Sequence, residues 1–231
     1  MISIFTLNLW RYYDFDSRLS NLEKIIKTKK PDVIFLQEVQ IDTTISPFSQ
    51  VEIIKNILPE YEYSIHSTIY PKESQRGQKL KKTIQHGMAI ISRHPVVNSF
   101  EYYLTPNGSE PRSILCFDVR IGQKVYNFAN IHFTNSEGSA KAELTEFLDF
   151  IHSREERRIM AGDFNLHDLP RYLDALIGYK LSFDYKPYIS YPKDNWCLDY
   201  IMIPDNLTFA RLEMVEEYLS DHKGLIAEID G

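Results

Sequence analysis

The stretch Val125–Asn165, VYNFANIHFTNSEGSAKAELTEFLDFIHSREERRIMAGDFN, contains in one segment the plan on which the fold rests. An apolar run, Val125–Ile131, ends at His132. Helical periodicity follows over Ser139–His152, and a second apolar run, Arg158–Ala161, leads into Gly162-Asp163-Phe164-Asn165. Short runs rich in β-branched and aromatic residues read as buried strands, while a recurrence every three to four positions reads as a helix. Two strands joined by a crossover helix run parallel, so His132 and Asp163 both emerge at carboxyl ends of strands, where α/β folds gather their ligands.

The same plan occurs once more, as a weak internal repeat. Asn8 follows the apolar run Ile2–Leu7, a helical pattern spans Ser17–Lys29, and Val33–Leu36 runs into Gln37-Glu38. Ser20 and Glu23 have the spacing of a capping box. The separation of Asn8 from Glu38 nearly equals that of His132 from Asp163, which predicts all four at one rim of the sheets. Further strands are expected at Met88–Ser92, Ser113–Val119, Leu198–Ile203 and Gly224–Ile229, and a further helix at Gln50–Leu58. Glycine and proline are scattered as turn punctuation and no low-complexity linker interrupts the pattern, so a single domain over residues 1–231 is expected.

Composition narrows the function classes. With 43% hydrophobic and 13% aromatic residues the chain can bury a sizeable core. A net charge of −6, from 26 basic and 32 acidic side chains, argues against a protein that coats nucleic acid through a broad basic surface. Cys116 and Cys197 are too few for a disulfide framework and lack metal-ligand spacing. The apolar first residues have no basic leader or cleavage site, and no stretch approaches the ~20 apolar residues of a membrane span. A soluble, cytoplasmic protein without membrane insertion is expected, and a monomer; nothing points to a protein partner.

Several polar residues beside these strands suit phosphate chemistry. Glu38, directly after an apolar run, is either a strand cap or a carboxylate placed to hold a divalent cation. Asp163 and Asn165, two apart, offer an acceptor and a neutral donor, which the attacking water and the non-bridging oxygens of a phosphate require. His222 needs a carboxylate to fix its tautomer, and Asp199 or Asp221 is available. Adjacent side chains on a strand point to opposite faces, so Asp199 is the expected partner.

The ordered set Asn8, Gln37-Glu38, His132, Gly162-Asp163-Phe164-Asn165, Asp199 and Ser220-Asp221-His222 resembles the endonuclease/exonuclease/phosphatase superfamily, with its DNase I-like fold. Pro31-Asp32-Val33-Ile34 and His86–Arg93 with Pro95 add local likeness. The resemblance implies a four-layer α/β sandwich of two packed, mixed or antiparallel sheets flanked by helices. It implies Mg²⁺ or Mn²⁺ as cofactor, with Glu38 as principal ligand and Asn8 and Asp221 beside it. His132, Asp163, Asn165, Asp199 and His222 become the catalytic set.

The substrate is less determined. A nuclease acting on DNA or RNA is the leading expectation, and action on a small phosphate or phospholipid, or a silent phosphate-binding relative, are the alternatives. His132 resembles DNase-like and sphingomyelinase-like branches, because abasic-site endonucleases usually carry Tyr there. Arg112, Trp10 and Arg76 are the expected substrate contacts. Arg76 opens a basic run to Lys82 that either follows a nucleic-acid backbone or is a solvated loop. Trp10, with Arg11, Tyr12 and Tyr13, either stacks on a base or packs the rim.

Overall fold

The computed structural model describes residues 1–75, 78–106, 111–167, 169–171 and 177–231, with only the backbone course for 68–75 and 78–83. Arg76 therefore lies outside the described residues.

The chain runs β1 (Ile2–Asn8), α1 (Phe15–Lys29), β2 (Val33–Ile41), α2 (Gln50–Ile57), β3 (Tyr63–Gln75), β4 (Gln78–Ser92), β5 (Val96–Tyr103) and β6 (Ser113–Ile121). It continues β7 (Lys124–His132), α3 (Glu137–Ser153), β8 (Ile159–Asp163), β9 (Tyr179–Leu181), α4 (Ser182–Tyr185), β10 (Asp199–Pro204), β11 (Thr208–Met214) and β12 (Leu225–Asp230). One six-stranded sheet has the order β11-β12-β1-β2-β4-β3 and the other β5-β6-β7-β8-β10-β9. Both are mixed, because β1 pairs parallel with β2 and β7 with β8, while their other neighbours are antiparallel. The two helical crossovers, α1 and α3, impose this.

Alternation of side chains along each strand divides the core into three slabs. Ile4, Phe35 and Ile90 from the first sheet meet Phe117, Phe128 and Ile201 from the second. Phe35 lies 5.3 Å from Phe117 and 5.6 Å from Phe128, ring centre to ring centre. Phe5, Ile34 and Leu36 point the other way and pack on Leu22, Ile25 and Ile26 of α1 and Val51 and Ile54 of α2. Cys116, Ile131 and Met160 pack on Leu144, Phe147 and Ile151 of α3. The layers are thus helix, sheet, sheet, helix. Both cysteines are free, and burial pushes each thiol up to about 12, so they behave as apolar side chains.

One expectation about caps is corrected. α1 begins at Phe15, so Ser20 is mid-helix and Glu23 pairs with Lys27 one turn on at 2.6 Å. The capping box belongs to α2, where Ser49 Oγ accepts from Glu52 N–H at 3.2 Å and the Glu52 carboxylate accepts from Ser49 N–H at 2.7 Å. A buried arginine anchors the start of α1 instead. Arg18 donates to the carbonyls of Leu9, Arg11, Tyr13 and Leu219, tying the loop after β1 to the loop before β12.

Candidate active site

Two devices set the site at one end of the sandwich. The first is a bulge in β2: Leu36 pairs with Ala89 and Val39 with Gly87, so Gln37 and Glu38 together face Met88. Glu38 takes a left-handed φ of 51°, which turns its carboxylate out of the ladder. Asn130 of the opposite sheet secures the bulge by donating to the carbonyls of Leu36 (3.1 Å) and Ala89 (3.0 Å) and accepting from Gln37 Nε2 (2.7 Å). The second is Gly162, at φ 144°, where an added Cβ would sit 2.0 Å from the Ile131 carbonyl oxygen. Only glycine lets β7 and β8 approach this closely, and that approach places His132 directly opposite Asp163.

A depression of about 850 Å³ opens over these strand ends. Asn8, Trp10, Glu38, Arg112, His132, Asp163, Asn165, Asp221 and His222 line it. Asp199 lies beneath, 1% exposed, paired with Asp163 across β8 and β10. Of the residues singled out in the sequence and described here, all therefore converge on this place.

Within it, the hydrogen bonds assign protons. His222 Nδ1 donates to Asp199 Oδ2 at 2.8 Å, the contact expected from strand geometry, whereas Asp221 hydrogen bonds its neighbour Ser220 at 3.1 Å. Arg112 Nη1 lies 3.2 Å from His132 Nδ1 and 3.5 Å from its Nε2, and because guanidinium only donates, the shorter contact favours Nδ1 as the acceptor and Nε2 as the protonated nitrogen. Both imidazoles then turn Nε2 toward one atom, Asp163 Oδ2, at 3.8 Å for His132 and 4.0 Å for His222. Those gaps are too long for hydrogen bonds and are the kind a bridging ligand oxygen fills. Asp163 is itself oriented by Asn8 Nδ2 on Oδ2 (3.0 Å) and by the Asn165 N–H on Oδ1 (2.9 Å). Asn165, at φ 50°, spends its amide on the Phe133 carbonyl at 2.9 Å and so positions the turn.

The electrostatics follow from burial and crowding. Burial beside Asp199 pushes Asp163 up to about 7, although His222 opposes the shift. Burial alone would lower His222, but the Asp199, Asp163 and Asp221 carboxylates outweigh it and raise the ring to about 10. Burial and the Arg112 charge hold His132 well below its usual range, so it is neutral. Asp221 is raised by burial, with Glu38 adding repulsion and His222 opposing.

The donor set suits a hard cation. Glu38 and Asp221 both line the depression and lie near enough to repel each other, and Asn8 Oδ1, which accepts from Trp10 N–H at 3.0 Å, keeps a second lone pair. Glu38 is paired at 3.1 Å with Arg11, whose Nε has no aligned hydrogen bond, so that contact is exchangeable. Among the described residues, the ligand atoms clustered within 4.8 Å of one another belong to Asp163, Asp199 and His222. That cluster is a poorer cation site, because His222 Nδ1 is engaged by Asp199 and three carboxylates keep the ring protonated.

Sequence reasoning singled out Gln37 but not its bracing role, and it missed Asn130, Ser190 and Tyr191. Asn130 and Gln37 hold the bulge, Ser190 Oγ accepts from the N–H groups of Leu198 and Asp199 (both 2.9 Å), and the Tyr191 ring lies 4.8 Å from that of His222. Nothing local marks these as different from ordinary core and turn residues. Among the described residues, no helix is long and apolar enough to cross a membrane.

Comparison with known proteins agrees with this architecture. No curated protein sequence matches the chain. Among solved structures, an endonuclease/exonuclease/phosphatase from Beutenbergia cavernae is 19% identical, with a TM-score of 0.82 over 99% of this chain and 71% of that one. A Leptotrichia buccalis protein of the same family description is 18% identical, with a TM-score of 0.80 over the full length of both. D. rerio TDP2, complexed with single strand DNA product, is 17% identical, with a TM-score of 0.71 over 100% of this chain and 99% of that one. The sequence matches the family profile over residues 5–222, and the chain belongs to the Endonuclease/Exonuclease/phosphatase family.

Proposed function

We propose that this protein is a Mg²⁺- or Mn²⁺-dependent nuclease that hydrolyses a phosphodiester of DNA or RNA by in-line attack of water. The observation that carries it is the trio of atoms facing one gap: Asp163 Oδ2 between the Nε2 atoms of His132 and His222. Asp163, its proton affinity raised by burial and by Asp199, is the general base that takes the proton of the attacking water. His222, held cationic by Asp199, donates to a non-bridging oxygen; His132 Nε2–H and Arg112 meet the phosphate from the other side. Glu38, Asp221 and Asn8 would hold the cation. Bound there, it supplies positive charge to oxygens on which negative charge accumulates. The single-stranded DNA bound by D. rerio TDP2 supports nucleic acid as the polymer.

The test is hydrolysis of bis-p-nitrophenyl phosphate, p-nitrophenyl phosphate and labelled DNA and RNA, each with Mg²⁺, Mn²⁺ or EDTA. EDTA is expected to abolish cleavage of the diester and the polymers, and Asp163→Ala or His222→Ala to lower kcat by about 10²- to 10⁴-fold. Cleavage retained in a purified Glu38→Ala, Asp163→Ala double variant would overturn the mechanism. Activity on the monoester alone would reassign the protein as a phosphatase.

A further inference from the structure

Trp196 takes no part in the chemistry above, yet its indole is 45% exposed at the rim of the same depression. It is not on a free loop. Tyr191 and Trp196 form an isolated antiparallel bridge, the Tyr191 N–H donating to the Trp196 carbonyl at 2.8 Å and the Trp196 N–H to the Tyr191 carbonyl at 3.1 Å. Asn195, at a left-handed φ of 59°, closes the turn between them. The open end of this hairpin packs on the site through Tyr191 and His222, and there the neighbouring Ser190 Oγ accepts from the Leu198 and Asp199 N–H groups and ties the two arms together. His167 stacks on the indole, ring centres 5.3 Å apart and planes 30° apart, and is paired with Glu137 at 3.6 Å. The plane of the ring is thus set from two directions.

Resting on the nuclease reading for the nature of the ligand, we propose that Trp196 is a specificity-determining platform on which an unpaired base next to the scissile phosphate stacks, so that the substrate is single-stranded or frayed nucleic acid. A base inside a duplex has both faces covered by its neighbours, and only an unstacked base has a face to offer. The shape agrees, because the depression, about 850 Å³, has room for one unstacked nucleotide beside the site. Charge agrees as well. A chain of net −6 gains little from long-range attraction to phosphates, and stacking supplies affinity that does not depend on it. Trp10, the other indole at the rim, is already committed to Tyr13 at 4.1 Å and to the Arg18 guanidinium at 5.8 Å.

The experiment compares binding, in EDTA so that no strand is cut, of a thymidine oligonucleotide, an abasic oligonucleotide of equal length and charge, and a covalently closed dumbbell duplex. The wild-type protein is expected to hold the base-bearing single strand about 5- to 150-fold more tightly than the abasic one, the range of one base–aromatic stack. Trp196→Ala should remove that difference, Trp196→Phe should keep most of it, and the dumbbell should bind no better than the abasic strand. Equal affinity of the wild type for the two single strands, or a difference that survives in Trp196→Ala, would overturn the proposal. A binding difference without hydrolysis of any strand under Mg²⁺ would leave the stacking platform standing and refute the nuclease reading alone.

Discussion

Asp199 touches no solvent, yet the charge state of the site depends on it. Its Oδ2 holds His222 Nδ1–H, and its Oδ1 is buried without a partner, so an isosteric amide changes the charge while leaving the packing in place. Asp199→Asn is expected to lower kcat on bis-p-nitrophenyl phosphate by about 10³- to 10⁴-fold, the loss typical when a buried carboxylate no longer orients a catalytic imidazole. Steady-state kinetics that show a large rise in KM with unchanged kcat would contradict this role. The polar residues at the strand ends that face the depression were legible in the sequence for a physical reason: each sits just past or just before an apolar run, where polarity is conspicuous. Asn130 and Ser190 were not, because a buried polar residue inside or between elements looks the same whether it braces a catalytic loop or merely satisfies a carbonyl.

At the level of elements, the strands that apolar patterning revealed are those with neighbours on both sides. The ones it missed, β3, β5, β9 and β11, are the four outer strands of the two sheets. An edge strand is half solvated and blunted with polar residues, as in β5 and β11, so no continuous apolar run marks it. The β2 bulge was equally invisible, since its cause is tertiary. Asn130 supplies side-chain donors for the Leu36 and Ala89 carbonyls there, and Asn130→Ala removes both donors together with the nearer acceptor of the Gln37 amide, which keeps only Thr6 Oγ1 at 3.2 Å. The variant should lose about 3 kcal/mol of stability, the cost of buried hydrogen bonds lost. It should also bind Mg²⁺ more weakly, because Glu38 loses its fixed aim. Chemical denaturation and metal titration check both, and unchanged metal affinity in the folded variant would separate Asn130 from the aim of Glu38.

For the whole molecule, the two halves of the sandwich meet where Glu38, Asp163, Asp199 and Asp221 gather, carboxylates whose mutual repulsion a bound cation would relieve. Mg²⁺ at about 100 times its dissociation constant should raise stability by about 2.7 kcal/mol through mass action. In Glu38→Gln the same addition should leave the melting temperature unmoved, and a full shift in that variant would place the cation elsewhere. The internal repeat seen in the sequence corresponds to this division, β1–α1–β2 in one sheet and β7–α3–β8 in the other. It could not reveal how the chain closes. β1, which ends in Asn8, pairs with β12, and His222 precedes β12, so residues from opposite ends of the chain must meet, Ile2 against Ile229. Contacts so distant along the chain form slowly. During synthesis the segment bearing Asn8 waits for a partner made far later in the chain, and until β12 is in place the loops carrying Asn8 and His222 are not brought together.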